Sequence, residues 1–509
     1  MIGVDYQIEN LRNYLTYLLL NAELISSLVK LAQRENYELY LVGGFIRDTL
    51  LGRSGKDIDF VSGRASGLAK SLARETGVKL VSFDRKFGTI RLIPPAGSDQ
   101  LSDSYQVDLS PLRGSSIVED LKQRDFTVNA LAIDLSEWRV DCSFDLFDPL
   151  GGLSHLRAGR LELCSSHSLK NDPLRILRAY RLAATHEFAL ADHTQDRIRE
   201  IRHELKRSAV ERIRDELVLM LATSSSSRIL RALDDDSILK LLLPECELMR
   251  NCHQRDYRHQ EVWQHSLSAL EVLESLLASP QALLGGFAEQ AAPILAQRIA
   301  GERTREIMLK LGVLLHDIGK PNCRTVDENG VIHFYGHETA GAKLAGSLCA
   351  RLCFSNKEID FVIQLVRQQR RAIHLFNLKR RSRKALSRLF KLGPELFWPL
   401  LFLFASNYLA TKGPRSQETE LGPLSHQISR WLDFYHKQLK PKEGEHPLVG
   451  GHELMNRLNL SPGPTVGKLL STLEQLQWEG QINSREEALQ HAAQLLRRWT
   501  KKGQKTAGS

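Results

Sequence analysis

The sequence predicts an α+β protein, a mixed-sheet head followed by an all-helical neck and body, a further helical module and a helical tail. Three observations predict it. Strand-like runs are confined to residues 36–148, helical periodicity dominates from about residue 160 to Trp499, and 509 residues are too many for one core. At roughly 100 to 200 residues per domain, a head plus several helical modules is the expected division.

Residues 1–35 read as helical, with apolar Leu11, Leu15, Leu18, Leu19, Ile25 and Leu28 at helical spacing. Glu38–Val42 reads as a strand that breaks at Gly43-Gly44, and Ile46–Leu51 as a helix ending at Gly52. Further strands are expected at Asp57-Ile58-Asp59, Lys79–Phe83, Thr89–Ile93, Gln106–Leu109 and Phe126–Ile133. Helices are expected at Leu174–Ala184, at Ala209–Ala222 and repeatedly beyond. Polar or Gly/Pro-rich stretches at Gln254–Gln260, Gly413–Gly422 and Lys440–His446 mark boundaries. The resulting division is 1–35, 36–148, 149–250, 251–420 and 421–509.

Composition narrows the function classes. Seven scattered cysteines without a Cys-x-x-Cys pair indicate neither a disulfide framework nor a zinc knuckle, which fits a reducing, cytoplasmic setting. No run approaches the ~18 apolar residues of a membrane span, and the N-terminus lacks signal-peptide regions. A net charge of +9, clustered at Arg367–Arg371, Lys379–Lys384 and Arg497–Lys502, favours a polyanionic partner, most economically RNA.

The most informative local feature is Gly43-Gly44-Phe45-Ile46-Arg47-Asp48 followed by Asp57-Ile58-Asp59. Backbone amides at a helix start after two glycines face incoming phosphate. Strand alternation points Asp57 and Asp59 to one side with Ile58 into the core, and two carboxylates so spaced suit Mg²⁺. Such ions can activate a 3′-hydroxyl and steady leaving pyrophosphate, so the combination points to metal-dependent nucleotidyl transfer. In Arg124-Asp125-Phe126-Thr127-Val128-Asn129, the apolar residues read as strand anchors, while Arg, Asp and Asn offer donors and acceptors to a ribose and triphosphate. Asn171-Asp172-Pro173-Leu174-Arg175 reads as a helix opening with Pro at an early position and Asp172 and Arg175 on one face.

Across residues 35–220 these motifs, in this order, resemble the class II tRNA nucleotidyltransferases and the related bacterial poly(A) polymerases. The resemblance implies a palm-like nucleotidyltransferase head, with Asp57, Asp59 and Asp108 as catalytic metal carboxylates. It implies that Gly44, Arg47, Asp48, Arg124, Asp125, Asn129, Arg178 and Arg181 serve nucleotide binding, and that Asp172 and Arg175 read the base. Phe87-Gly88-Thr89 matches the family's His-Gly-Thr turn with the histidine replaced, and Asn171 stands where the family has Glu. Asp148–Leu153 resembles the head–neck hinge, and Glu211–Leu217 a structural neck helix. The implied partners are the tRNA acceptor end and CTP, with ATP as well if the full CCA is added. Only Leu109–Val118 separates Asp108 from Glu119-Asp120, shorter than the flexible loop of full CCA-adding members, so addition of CC alone and of CCA both stay open.

His316-Asp317-Ile318-Gly319-Lys320, with His265 upstream and Gly336-His337-Glu338 downstream, resembles an HD domain. Nitrogen and oxygen ligands from His265, His316 and Asp317 are a candidate second divalent-metal site. Asn407 stands where HD enzymes offer a final Asp, and Gln369 where a His is common, so a retained fold with weak or absent hydrolysis is expected. The tail, with Pro464 at a helix start near Lys468, reads equally as an RNA contact or a packing module. A poly(A) polymerase with the same chemistry and an HD phosphohydrolase on RNA phosphate ends are the rival readings.

Overall fold

The computed structural model describes residues 4–53, 55–84, 88–98, 101, 104–138, 144, 146–253, 261–378, 382–442 and 446–506. Phe87, Cys142, the boundary Gln254–Gln260, Lys379, Arg380 and Arg381 of one basic run, and residues 443–445 of another boundary lie outside these. The chain forms two compact units, Met1–Glu216 with Asp235–Leu241, and Leu217–Asp234 with Leu242–Ser509. Among the described residues no single helix is long and apolar enough to cross a membrane.

The first unit is built on a seven-stranded mixed sheet: β1 (Tyr40–Val42), β2 (Asp57–Ser62), β3 (Lys79–Asp84), β4 (Thr89–Ile93), β5 (Gln106–Pro111), β6 (Ala132–Asp134) and β7 (Leu146–Phe147). Their order is β3-β4-β5-β2-β1-β6-β7, with β2 and β5 parallel and the other pairs antiparallel. This register builds the site. Pairing of β2 with β5 sets Asp59 opposite Asp108, pairing of β4 with β5 sets Arg91 opposite Asp108, and pairing of β1 with β2 brings the end of β1, Val42, level with Asp59.

Alternation along β2 buries Ile58 and Phe60 and leaves Asp57 exposed and Asp59 half-buried. Helices Val4–Asn21, Glu23–Arg34, Gly44–Leu50 and Ala65–Thr76 contribute Leu11, Leu28, Phe45, Ile46 and Leu68, each almost fully buried. Removing such side chains from water stabilises by roughly 1.5–3 kcal/mol apiece, which holds the strands rigid beneath the carboxylates.

Four local expectations are corrected. The helix after the double glycine starts at Gly44, two residues early, because Gly43 at φ +86° turns the chain sharply out of β1. Phe126–Ile133 is not one strand: Asp125 Oδ1 accepts from the Phe126 backbone N–H and the Asn129 side-chain amide, Thr127–Asn129 turns as a 3₁₀ helix, and extended pairing resumes at Ala132. The helix after Pro173 begins at Arg175, since the Asp172 carboxylate accepts the Leu174 N–H and holds Asp172 in an extended, non-helical conformation. The Gly413–Gly422 patch is not a linker; Gly413 separates helix Pro394–Lys412 from helix Pro414–Phe434, which absorbs the rest of it.

After the sheet, Asp148 accepts from the Gly152 and Leu153 N–H groups and so opens helix Gly152–Arg157. A Cβ on Gly152 would meet the Thr127 carbonyl oxygen at 2.1 Å, so the hinge needs glycine there for contact, not for looseness. Outside the main sheet the described strands are three two-stranded pairs.

The second unit is helical. Helices Val262–Ala278, Arg305–Leu315, His337–Arg351, Asn356–Gln368 and Pro394–Lys412 enclose Trp263, Phe397, Phe402 and Phe404. His316 and Asp317 stand on a turn just past helix Arg305–Leu315 and not within a helix. A Cβ on Gly319 would come within 2.2 Å of the His337 carbonyl oxygen, so glycine lets that turn dock on helix His337–Arg351. Toward the C-terminus Leu454, Leu469, Leu473, Ile482 and Ala488 form a separate small core.

Candidate active site

A cavity of about 300 Å³ in the first unit is lined by Gly43, Gly44, Asp59, Asp108, Arg124, Asp125, Asn129, Asp172, Arg175 and Arg178, all singled out in the sequence. Arg113 and Arg212 complete its cationic wall. Asp57, Arg47, Asp48 and Arg181 do not line it.

The carboxylate side comes from β2 and β5. Burial raises the Asp59 pKa, and although Arg124 opposes this, the neighbouring Asp108 and Asp57 charges add to it. Carboxylates held together in this way favour a cation among them. Asp108 is clamped by Arg91, whose Nε and Nη2 donate to its two oxygens at 2.8 Å each. Gly43 closes the floor: a Cβ there would stand 3.3 Å from Arg124 Nη1 and 3.4 Å from Asp59 Oδ2, at a backbone angle side chains avoid.

The opposite side is a buttressed ring of guanidiniums. Arg124 is held by Asp120 at 3.0 Å, which also accepts the Arg113 N–H. Arg178 lies 3.0 Å from Asp125 Oδ2, and this ion pair raises its pKa. Burial alone would push the Asp125 carboxyl up, but Arg178, Arg175, the Asn129 side-chain amide and the Phe126 backbone N–H outweigh it and bring the pKa down to about 2. Burial and the neighbouring Arg124 charge lower Arg113, and burial lowers Arg175. Positive charge exceeds its counter-charge here, the condition for holding phosphate oxygens.

Arg47 and Asp48 form the layer beneath. Arg47 is buried, binds both Asp48 oxygens at 2.9 Å, and donates to Asn129 Oδ1, whose own amide supports Asp125. Arg181 pairs with Glu216 at 2.8 Å. The base-reading pair is divided: Asp172 is bound through both oxygens by Arg212, at 3.2 and 2.8 Å, while Arg175 donates to the Gln123, Arg124 and Ser168 carbonyls.

Sequence reasoning therefore missed Arg91 and Arg212 as site residues. Strand alternation opposite Asp108 was the available signal for Arg91, but it needs the β4–β5 register. Arg212 stood in the motif read as structural, and the chain fold brings it to Asp172 across 40 residues.

In the second unit His265, His316 and Asp317 place ligand atoms within 4.8 Å of one another. His316 Nδ1 faces the Val313 carbonyl at 2.7 Å, which leaves its buried Nε2 directed at the cluster, 3.1 Å from Asp317 Oδ2. Lys320 Nζ lies 2.6 Å from Asp317 Oδ2, and His265 Nε2 lies 3.0 Å from the Asn407 amide oxygen. Burial, with the His316 charge, lowers the His265 pKa to about 4.

With this geometry in view, the comparisons agree. The poly(A) polymerase head-domain model matches residues 39–162, an RNA- and SrmB-binding region of polymerase A matches 187–249, the HD domain 262–392, and domain 2 of tRNA nucleotidyltransferases 337–493. A CC-adding tRNA nucleotidyltransferase of Thermus thermophilus is 33% identical over 89% of this chain and 92% of its own. The chain belongs to the tRNA nucleotidyltransferase family.

An A-adding tRNA nucleotidyltransferase of Deinococcus radiodurans is 30% identical over 92% of this chain and 96% of its own. Among solved structures, an apo CCA-adding enzyme aligns with a TM-score of 0.61 at 20% identity, covering 94% of this chain and 96% of that one. A Thermotoga maritima CCA-adding enzyme in complex with tRNA aligns at 0.57 and 22% identity, covering 92% of this chain and 94% of that one. These likenesses support the polymerase-β-like fold class, a mixed-sheet head with a helical remainder. As in this nucleotidyltransferase family generally, the transfer chemistry uses a divalent metal.

Proposed function

We propose that this chain adds cytidylate to the 3′ end of tRNA from CTP with release of pyrophosphate, and that it stops after two cytidines. The observation that carries the chemistry is the register that sets Asp59 opposite Asp108 facing an arginine-lined cavity. Asp57, Asp59 and Asp108 are the residues that would hold Mg²⁺: hard oxygen donors fit it, and a cation among them would favour the charged form of Asp59, whose pKa burial raises. Bound there, Mg²⁺ would supply the charge that activates the 3′-hydroxyl and stabilises leaving pyrophosphate.

In this reading Arg124 and Arg178, with the Gly43-Gly44 turn, hold the triphosphate in line with the 3′-oxygen. Arg47 and Asp48 act beneath them by orienting Asn129, and Arg181 by fixing the helix Arg175–His186. Asp172 and Arg175 present acceptor and donors to the base edge, which would let protein groups replace a template. Two features favour CC over CCA. The connection from β5 to helix Ile117–Lys122 is only Leu112–Ser116, and it is pinned: the Arg113 N–H donates to Asp120 Oδ1, and the Ser115 N–H and hydroxyl both donate to Glu119 Oε2. Such a loop has no slack for the longer excursion of full CCA-adding relatives.

The 36–148 head and 149–250 neck would carry this reaction. The HD portion within 251–420 is read as a retained fold with weak or absent hydrolysis, because Lys320 already neutralises Asp317 and Asn407 supplies an amide where a carboxylate ligand would strengthen the site. Cys164, Cys246 and Cys349 form no disulfide and have thiol pKa values raised by burial, which fits a cytoplasmic enzyme.

Extension of a tRNA lacking its 3′ end, resolved to single nucleotides with CTP, ATP or both, tests the reading. Growth by two cytidines even with ATP present is the expected result. A terminal adenosine would overturn the loop argument, and open-ended adenylation would overturn the tRNA assignment.

A further inference from the structure

The second unit carries a basic groove that neither the transfer chemistry nor the HD cluster uses. One wall is made by helices Arg370–Asn377 and Arg383–Phe390 in succession. Arg371 and His374 lie one turn apart on the first. Lys384, Arg388 and Lys391 follow at i, i+4 and i+7, one stripe along the second and its end. The facing wall is helix Pro464–Trp478, which presents the Ser471 and Thr472 hydroxyls. The walls enclose about 710 Å³, and the Trp478 indole N–H ties them together by donating to the Ser387 carbonyl at 3.2 Å.

Two features define what the groove accepts. No carboxylate lines it among the described residues, and the Arg371 guanidinium donates to the Arg388 carbonyl and not to an acid. Like charges stacked at helical spacing repel one another, so an anion laid along the stripe relieves the structure. Among the described residues no Phe, Tyr or Trp lines the groove either, so these offer charge without a surface for base stacking. The stripe from Lys384 to Lys391 covers seven residue-to-residue steps. At 1.5 Å per residue that is roughly 10 Å, about three nucleotide steps at 3.4 Å per strand.

We propose that this groove grips the sugar–phosphate backbone of the RNA substrate, as a positioning surface that adds affinity without reading sequence. It rests on the RNA-transfer reading above. Contacts to phosphate fix register and orientation and leave specificity to the catalytic head.

The test uses the full chain carrying Lys384→Gln, Arg388→Gln and Lys391→Gln together, with Lys70→Gln in the head as a control. All four positions are exposed, and circular dichroism and thermal melting check the fold. Binding of a tRNA lacking its 3′ end is measured across salt concentrations, alongside binding of poly-glutamate. The triple variant should bind tRNA about tenfold more weakly at 0.15 M salt, with a log–log salt slope shallower by about 2 to 3. Its KM for tRNA should rise while kcat at saturating tRNA stays that of the wild type, and the control should match the wild type throughout.

Unchanged tRNA affinity and salt slope in the triple variant would overturn the groove, however well the protein extends tRNA. Loss of poly-glutamate binding with tRNA binding intact would overturn it in favour of an acidic protein partner. If the wild type binds tRNA through these residues yet adds no nucleotide, the groove stands and the catalytic reading falls. A single charge reversal, Lys391→Glu, at the end of the stripe should weaken tRNA binding further than Lys391→Gln.

Discussion

The head and the HD portion both gather titratable side chains around a ligand motif, yet their carboxylates end in opposite electrostatic states. In the head, burial raises the Asp59 pKa, with the Asp108 and Asp57 charges adding to it and Arg124 and Arg178 opposing it, and Arg91 pairs directly with Asp108. In the HD cluster, a single carboxylate, Asp317, lies among Lys320, His316, His265 and His337 at 2.6, 3.1, 3.9 and 3.6 Å, and its pKa falls well below the carboxylate range although burial opposes this. In the head Asp59 keeps a raised pKa even with Arg124 and Arg178 nearby, whereas in the HD cluster Lys320 already contacts the ligand carboxylate of Asp317. A ligand motif therefore predicts metal chemistry only together with the charges packed against it.

The sharpest way to break the comparison is to remove a head carboxylate. Asp59→Asn or Asp108→Asn should lower CMP transfer by roughly 10³-fold or more, the scale of losing fixed electrostatic stabilisation at a reacting centre. Filter binding should show tRNA affinity intact. A variant that keeps more than a tenth of the wild-type rate, taken from initial rates of extension, would remove that residue from the site.

Next in size is nucleotide choice. Arg212→Ala frees Asp172 from its bidentate partner. The ratio of kcat/KM for CTP over ATP should change by about 10- to 100-fold. An unchanged ratio would return Arg212 to the purely structural role that its motif suggested.

A stability effect of intermediate size separates the buttress from the chemistry. Asp125 titrates at about 2 in the folded chain against 3.8 ordinarily, so its ion pairs stabilise the fold above the unfolded pKa and that stability fades as pH falls from about 4 through about 2. The shift corresponds to about 2 kcal/mol for this buried group. Asp125→Asn should lower denaturant stability of the head at pH 7 by that order and flatten the acid limb of its stability profile. A variant with the wild-type acid limb would show that Arg178 does not stabilise Asp125 as the geometry requires.

The smallest change sharpens the HD side. Asn407→Asp brings a carboxylate to His265, and titration calorimetry with Mn²⁺ should show about tenfold tighter binding than in the wild type. Wild-type affinity already equal to that of the variant would contradict the reading of Asn407 as the missing ligand.

What was legible in the sequence follows from range. Asp57 and Asp59 were readable because strand alternation is local, and the helix after Gly43-Gly44 because a positive φ and a strand ending act within a few residues. The break inside Phe126–Ile133 was hidden because the apolar pattern of a buried 3₁₀ turn looks like a strand until Asp125 is seen bonding the backbone after it. Arg91 and Arg212 were hidden for a different reason. Their importance lies in partners 17 and 40 residues away, Asp108 and Asp172, reached through sheet register and through the packing of the neck. Asp172 and Arg175 were found, but their spacing was read as a shared helix face, whereas Asp172 precedes the helix and each has its own partners.

The most direct test of the contrast is parallel extension of a tRNA lacking its 3′ end by two full-length variants, Asp59→Asn and the double variant His265→Ala with His316→Ala. The account predicts no added nucleotide with the first and wild-type addition of cytidine with the second, provided both melt as the wild type does. Extension by the Asp59 variant together with loss of extension in the HD variant would contradict it, and would move the reacting centre to the cluster held here to be electrostatically satisfied.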